Sequence, residues 1–186
     1  MKGKCVRKTK EVSVEVEVDL TGGEIEVDTG IGFLDHMLET FAIHSGIGLK
    51  VKAVGDLNVD EHHTVEDVAI ALGRAFKDAV DKRGINRFGD AIVPMDESVA
   101  ICGVDVSGRG VFNFEGEFGD TTVRGENIVH FFDSFCRNSG INVYLSVKGF
   151  NSHHKIEASF KALARALREA LQKTGDDVRS AKGLLE

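Results

Sequence analysis

Two stretches of the sequence place a glutamate four residues after the first of two adjacent histidines. The first reads DEHHTVEDVA over residues 60–69, and the second reads NSHHKIEASF over residues 151–160. Apolar residues at helical spacing follow both pairs, so in each stretch the first histidine and the glutamate share one helix face. Imidazole and carboxylate donors suit manganese, iron, cobalt or zinc better than calcium or magnesium. The motifs therefore predict metal sites.

The doubling of the histidines indicates two ions. Residues on a helix turn by about 100° each, so His62 lies near Glu66 whereas His63 points well away from both. If the motifs face each other across a pseudo-twofold axis, His154 joins His62 and Glu66, and His63 joins the ion of the second motif. The alternative is a pair of exposed helix starts, where a glutamate favours the positive end of the helix dipole.

The whole chain is one unit written twice. HMLETFAIHSGIGLKV from His36 aligns without a gap on HFFDSFCRNSGINVYL from His130, and EVSVEVEVDLTGG from Glu11 parallels ESVAICGVDVSGR from Glu97. The repeated third histidine would give each ion three imidazoles and one glutamate. We predict a single domain over residues 1–186, made of repeats at about 11–83 and 97–171 with a short C-terminal tail.

Each repeat predicts a β-β-α-β-α unit. Alternating valines from Val12 to Val18, a turn at Gly22 and further alternation predict a half-buried hairpin. Short helices are expected to end at Gly46 and Gly140, each followed by a strand, and a longer helix closes each unit, with Asp60 and Ser152 as N-caps. Together these elements predict an α+β fold, with sheets that carry helices packed on one side.

Composition narrows the function classes. The net charge of −7 over 186 residues argues against a general nucleic-acid binder, which needs excess basic residues. The N-terminal stretch lacks the apolar core of a signal peptide, and no apolar run is long enough for a membrane span, so we expect a cytoplasmic protein. Cys5, Cys102 and Cys136 lack CxxC spacing and are interpreted as reduced, small apolar residues.

From about Arg7 to Leu185 the chain resembles the imidazoleglycerol-phosphate dehydratase family. The matching motifs are GFLDHML, DEHHTVEDVAIALG, GINRFG, VPMDES, DVSGRG, SHHKIEASFKALARAL and SAKGLL. The resemblance implies a duplicated fold like the second domain of ribosomal protein S5. It also implies two manganese ions per active site and a homo-oligomer of 24 subunits with metals bound between them.

The resemblance assigns four ligands to each manganese ion. One ion would take His36, His63, His153 and Glu157. The other would take His62, Glu66, His130 and His154. The catalytic residues would be Glu11, Glu66 and Glu157.

The implied reaction is the dehydration of D-erythro-imidazoleglycerol phosphate to imidazole acetol phosphate in histidine biosynthesis. No carbonyl activates the proton that is lost, so a metal-bound imidazolate would push electrons toward the departing hydroxyl. The family correspondence makes Glu11 the proton-transferring base. Without the resemblance, Glu11 would be interpreted as an ordinary charge on an edge strand.

The substrate phosphate needs cationic donors. The family correspondence points to Arg87, Arg109, Lys161, Ser180 and Lys182, each of which would otherwise be interpreted as an ordinary surface residue. Arg109 is the most suggestive, since Gly23 stands at its place in the first repeat. The tail that carries Ser180 and Lys182 is shorter than the family pattern. The resemblance also places His44 near the substrate, and a structural role for it is the alternative.

Two other functions fit the same residues. The histidine clusters could join subunits in a metal-stabilised assembly module without catalysis. Two metals could also serve a phosphoesterase, which would release inorganic phosphate. Open coordination positions and the basic residues favour the dehydratase.

Overall fold

The computed structural model describes residues 1–183 and 185 and shows the same succession of elements twice. The first half contains β1 (Lys2–Lys8), β2 (Val12–Asp19), β3 (Ile25–Asp28), α1 (Gly32–Ser45), β4 (Gly48–Gly55) and α2 (His62–Ala79). The second half contains β5 (Phe88–Met95), β6 (Ser98–Asp105), β7 (Phe112–Glu115), α3 (Gly125–Ser139), β8 (Asn142–Lys148) and α4 (Ser152–Ala170). The predicted duplication and the α+β class are confirmed, with one additional strand before each predicted unit.

Each half forms a four-stranded mixed sheet. The strand orders are β1-β2-β4-β3 and β5-β6-β8-β7. Along β2 the valines are buried and the residues between them face outward, as alternation on a half-buried strand requires. The helices cover one face of each sheet: α2 packs on β1 and β2, and α4 packs on β5 and β6.

The prediction that β2 and β3 form a hairpin is wrong. β4 lies between these strands, antiparallel to β2 and parallel to β3. The antiparallel neighbour of β2 along the chain is β1, which the sequence did not reveal. Gly22 and Gly23, with φ of 100° and 148°, carry the chain past the start of β4. Alternation identifies a strand but does not identify the strand that pairs with it.

Helices of one half pack on helices of the other. α1 packs against α4, and α2 packs against α3. Phe41 and Phe76 of the first half meet Phe135 of the second, with ring centroids 5.5–6.5 Å apart. This shared core holds the starts of α2 and α4, which carry the histidine pairs, against helices of the opposite half.

The helix ends match the expected chemistry in part. Gly46 and Gly140 close α1 and α3 in the left-handed conformation, with φ of 76° and 75°. The N-cap positions are Glu61 and Asn151 rather than Asp60 and Ser152. The Asn151 side chain accepts from the backbone N–H of His154, and Asp60 accepts from that of His62. Within the described residues, no helix is both long and apolar enough to span a membrane.

Candidate metal centre

The first group of candidate ligands joins α1 to α4 and is called the Glu157 cluster, made of His36, His153 and Glu157. The Nε2 atoms of His36 and His153 lie 3.3 Å and 3.0 Å from the same Glu157 oxygen, Oε2. Because His153 and Glu157 are one helical turn apart, the helix itself sets their spacing. His36 comes from the other half of the chain.

The Glu157 carboxylate is the most buried member of its cluster, since the residue is only 8% exposed. Burial alone would raise its pKa. Lys161 Nζ, 2.7 Å from Oε1, and the hydrogen bonds from His153 and His36 outweigh burial and leave the pKa below its ordinary value. Glu157 is therefore ionised at neutral pH, as a metal ligand must be.

The second group joins α2 to α3 and is called the Glu66 cluster, made of His62, Glu66 and His130. His130 Nε2 lies 3.0 Å from Glu66 Oε1, and the rings of His62 and His130 stack with centroids 5.0 Å apart. His130 comes from the second half of the chain, so each cluster combines ligands from both halves. In both clusters the candidate ligand atoms lie within 4.8 Å of one another.

The structure does not place His63 or His154 in either cluster. His63 Nδ1 lies 3.0 Å from Asp56 and 3.7 Å from Glu11. His154 Nδ1 lies 2.8 Å from Glu97. Each of these histidines points away from its neighbour, as helix geometry requires. One chain thus brings together three of the four residues predicted for each ion.

Hydrogen bonds tune the imidazoles outside the clusters. The hydrogen bond with Asp56 raises the pKa of His63, and the hydrogen bond with Glu97 raises that of His154. Glu97 accepts hydrogen bonds from Ser98 and His154 side chains and from the Asn151 backbone, which lower its pKa to about 2. Glu97 is therefore an anion at neutral pH.

The sequence alone gave no functional role to Asp56 or Asn127. Asn127 Oδ1 lies 2.8 Å from His62 Nδ1, and its amide nitrogen donates to Glu61. Neither residue has an identical counterpart in the other repeat, so duplication could not point to it. Glu97 was visible only as the repeat partner of Glu11.

The predicted phosphate residues fall into two groups. Arg87 donates to both oxygens of Asp105 and to the backbone carbonyl of Arg179, and Arg109 approaches Asp105 at 3.5 Å. The link to Arg179 brings the tail with Ser180 and Lys182 to Arg87, where the Lys182 backbone donates to the Ser180 hydroxyl. Arg87 has a left-handed backbone, with φ of 72°.

The other two predicted substrate residues belong with the Glu157 cluster. Lys161 pairs with Glu157, as described above. His44, near the end of α1, has a pKa lowered by burial first and then by the positive charges of Lys161 and Arg165. His44 is therefore a neutral imidazole at physiological pH. Among the described contacts, none joins Lys161 to Arg87 or Arg109, the two arginines predicted to bind the phosphate.

Comparison with known proteins decides the family. The sequence model described as imidazoleglycerol-phosphate dehydratase matches residues 29–167, which is well over half of the chain. The chain belongs to this family.

Known relatives match this chain over almost its full length. The imidazoleglycerol-phosphate dehydratase of Archaeoglobus fulgidus is 62% identical over 98% of this chain and 99% of that protein. The histidine biosynthesis bifunctional protein HisB of Stenotrophomonas maltophilia is 50% identical over 96% of this chain, which spans 51% of that longer protein. The crystal structure of the Pyrococcus furiosus dehydratase in complex with (S)-C348 has a TM-score of 0.87 at 33% identity, covering 97% and 99% of the two chains.

These comparisons confirm three predictions made from the sequence. The family resemblance holds, the fold class is shared with solved members, and the enzyme class is that of a hydro-lyase in histidine biosynthesis.

Proposed function

We propose that this protein dehydrates D-erythro-imidazoleglycerol phosphate to imidazole acetol phosphate at a site that holds two manganese ions. The observation that carries the proposal is the pair of clusters. Each brings two imidazoles and one carboxylate from opposite halves of the chain to within 4.8 Å of one another. A family of dehydratases and two matched ligand clusters together favour a metal-dependent lyase.

The donor chemistry fits manganese. Two imidazoles and a carboxylate form a mixed nitrogen and oxygen set, which suits a first-row transition metal better than calcium or magnesium. The ionised state of Glu157 favours cation binding. When bound, manganese would supply Lewis-acid polarisation of the substrate and would act as a template for it.

Glu11 is proposed as the base that takes the proton from carbon. Its side chain is 56% exposed and stands 3.7 Å from His63 Nδ1, beyond a normal hydrogen bond. The equivalent Glu97 is occupied by three hydrogen bonds. An accessible carboxylate without such commitments is the group that can exchange a proton with substrate.

Arg87 and Arg109 are proposed to hold the phosphate. Both guanidinium groups lie on the carboxylate of Asp105, which preorganises them side by side. Arg109 is half-exposed, so it keeps donors for a ligand, and guanidinium geometry suits phosphate oxygens. Ser180 and Lys182 would add donors from the adjacent tail. Lys161 and His44 would contact the substrate near the Glu157 cluster.

Assembly is proposed to complete the metal sites. A fourth imidazole for each cluster would come from His63 or His154 of another copy, within an oligomer of 24 subunits. Support comes from the placement of both histidines outside the clusters of their own chain. The proposed compartment is the cytoplasm.

The test is conversion of imidazoleglycerol phosphate by protein that has been chelated and then reloaded with manganese. We expect product only after reloading and no release of inorganic phosphate. Equal turnover by chelated and loaded protein would contradict the metal requirement. Release of phosphate would instead support a phosphoesterase.

Glu11→Gln distinguishes the enzyme from a metal-joined assembly module. Glu11 belongs to neither the Glu66 cluster nor the Glu157 cluster, although its carboxylate lies within 4.8 Å of the ligand atoms of Asp56 and His63. We expect the variant to assemble with manganese like the original protein and to lose turnover by roughly 100-fold or more, the scale of general base catalysis. Unchanged turnover would remove Glu11 from the mechanism. A protein that assembles but never converts substrate would support the module.

A further inference from the structure

The two histidines outside the clusters are held in the same way. His63 Nδ1 lies 3.0 Å from Asp56 Oδ2, and His154 Nδ1 lies 2.8 Å from Glu97 Oε2. An ionised carboxylate can only accept hydrogen bonds, so in each pair Nδ1 must carry the proton. In the neutral ring Nε2 is then the unprotonated nitrogen, which is the atom that can bind a metal ion. The exposed carboxylate of Asp96 lies 3.6 Å from His154 Nε2, beyond a normal hydrogen bond, so Glu97 makes the stronger contact with this ring.

The carboxylates that hold these rings come from different places in the two repeats. Glu97, just before β6, is the repeat partner of Glu11, just before β2. If both repeats made the same contact, Glu11 would hold His63. Instead Asp56, in the loop after β4, makes the hydrogen bond, and Glu11 stands farther from the same nitrogen at 3.7 Å.

Sheet register identifies the residue that corresponds to Asp56. Val12 pairs with Gly55 in the first sheet, and the Val99–Lys148 pair places Gly149 beside Ser98 in the second. Asp56 and Phe150 follow these glycines. Phe150 is 85% exposed and has no oxygen in its side chain to hold His154, so Glu97 keeps that task in the second repeat.

Asp56 is committed to His63. Its side chain is only 21% exposed, and its other oxygen, Oδ1, is buried without a hydrogen-bond partner among the described residues. A buried carboxylate oxygen without a hydrogen-bond partner costs folding free energy. The hydrogen bond with His63 is therefore the contact that holds the Asp56 carboxylate in this position.

We propose that Asp56 and Glu97 are positioning residues that fix His63 and His154 in the Nδ1–H tautomer, and that Asp56 does in the first repeat what Glu97 does in the second. Asp56 thereby leaves Glu11 free for proton transfer in one repeat, whereas Glu97 has a positioning role in the other. The metal-binding part of this inference rests on the proposed function. The tautomer part does not, because it concerns the protein without metal.

The test reads the imidazole tautomers by nitrogen-15 NMR in chelated, full-length protein at about pH 9, above the ordinary range of histidine. We expect His63 and His154 to be protonated at Nδ1. Asp56→Ala should shift His63 toward the Nε2–H form, and Asp56→Asn, which keeps an acceptor oxygen, should preserve Nδ1–H. Glu11→Gln is the matched control near the same ring and should leave the tautomer of His63 unchanged.

Manganese affinity gives a second readout. Loss of a carboxylate behind a ligating histidine typically weakens metal binding by about 10–100-fold. We expect a loss of this size for Asp56→Ala and a smaller loss for Glu97→Gln. Glu11→Gln should bind manganese with unchanged affinity. The assignment is overturned if His63 is protonated at Nε2 in the original protein, or if Asp56→Ala changes neither tautomer nor affinity. If manganese does not bind at all, the proposed function fails, while the tautomers still decide the role of Asp56.

Discussion

Glu66 and Glu157 are equivalent in the duplication, yet their surroundings differ. Glu157 is nearly buried and pairs with Lys161 one turn later at 2.7 Å. Glu66 has a side chain that is 37% exposed, and Ile70 stands where Lys161 would be. A lysine beside a ligating carboxylate competes with a bound cation. The Glu157 cluster should therefore hold manganese less tightly than the Glu66 cluster.

Lys161→Met should tighten the weaker manganese site. Removal of the competing ammonium group is expected to be worth about 1 kcal/mol, the scale of one such ion pair, or roughly fivefold in dissociation constant. Competition with a chelating dye would measure both constants. If Lys161 also contacts the phosphate, KM for the substrate should rise in the same variant.

Ile70→Met is the matched control for that change, at the equivalent turn of α2. It removes no charge and should leave both manganese constants as they were. Weaker manganese binding by Lys161→Met would contradict the idea that the lysine competes with the ion.

At the scale of elements, close packing of helix on strand supports both clusters. The Cβ of an added side chain at Gly3 or Gly89 would lie 1.9 Å or 2.1 Å from a helix carbonyl, that of Ala75 or Ala166. Only glycine lets β1 approach α2, and β5 approach α4, this closely. The same helices begin with the histidine pairs, so this packing also sets where the clusters form.

Gly89→Ala should lower the free energy of unfolding by about 1–3 kcal/mol, because strand and helix backbones must separate. Gly103→Ala on the neighbouring strand β6 is the control, since an added Cβ there meets no atom of the described residues within 4 Å. Guanidinium unfolding of the chelated variants would measure the difference. Equal stability of the two variants would show that the close approach is not a constraint.

Asp81, just after α2, connects the first half to the C-terminal tail. It accepts from the Arg83 backbone and side chain and pairs with Lys173 at 3.3 Å, and these contacts lower its pKa to about 2. An acid whose pKa is lowered by folding stabilises the native state above its unfolded value of 3.8, and that contribution disappears as pH falls toward 2. Asp81→Asn should therefore flatten the loss of stability between these pH values, as unfolding curves at several pH values would show. A variant that follows the original pH dependence would contradict this assignment.

Much of this arrangement was predictable because duplication repeats its own signals. Apolar periodicity predicted the long helices, and Gly46 and Gly140 predicted the ends of α1 and α3. The internal match showed that both signals occur in each repeat. Strand pairing was not predictable, since alternation is the same whether β3 pairs with β2 or with β4. The acceptors behind the histidines were also hidden, because Asp56 and Asn127 are close to His63 and His62 only after the chain has folded.

For the whole molecule, the duplication produces two similar ligand clusters and leaves two histidines outside them. Each half contributes ligands to both clusters, so neither half could form the Glu66 cluster or the Glu157 cluster alone. A third group of candidate ligand atoms, from Glu11, Asp56 and His63, lies within the first half. The remaining pair, His63 and His154, is held by carboxylates at Nδ1, and His154 Nε2 lies 3.6 Å from Asp96 Oδ2, beyond a normal hydrogen bond. In the proposed arrangement, each metal site gains its fourth imidazole only when another copy of the chain binds. Metal binding and assembly should therefore depend on each other.

Anomalous diffraction from crystals of the manganese-loaded protein tests this account most directly. We predict two manganese peaks per chain, one at each cluster, with the fourth imidazole at each peak supplied by His63 or His154 of another copy. Manganese bound away from Glu66 and Glu157, or four ligands drawn from a single chain at both peaks, would contradict it.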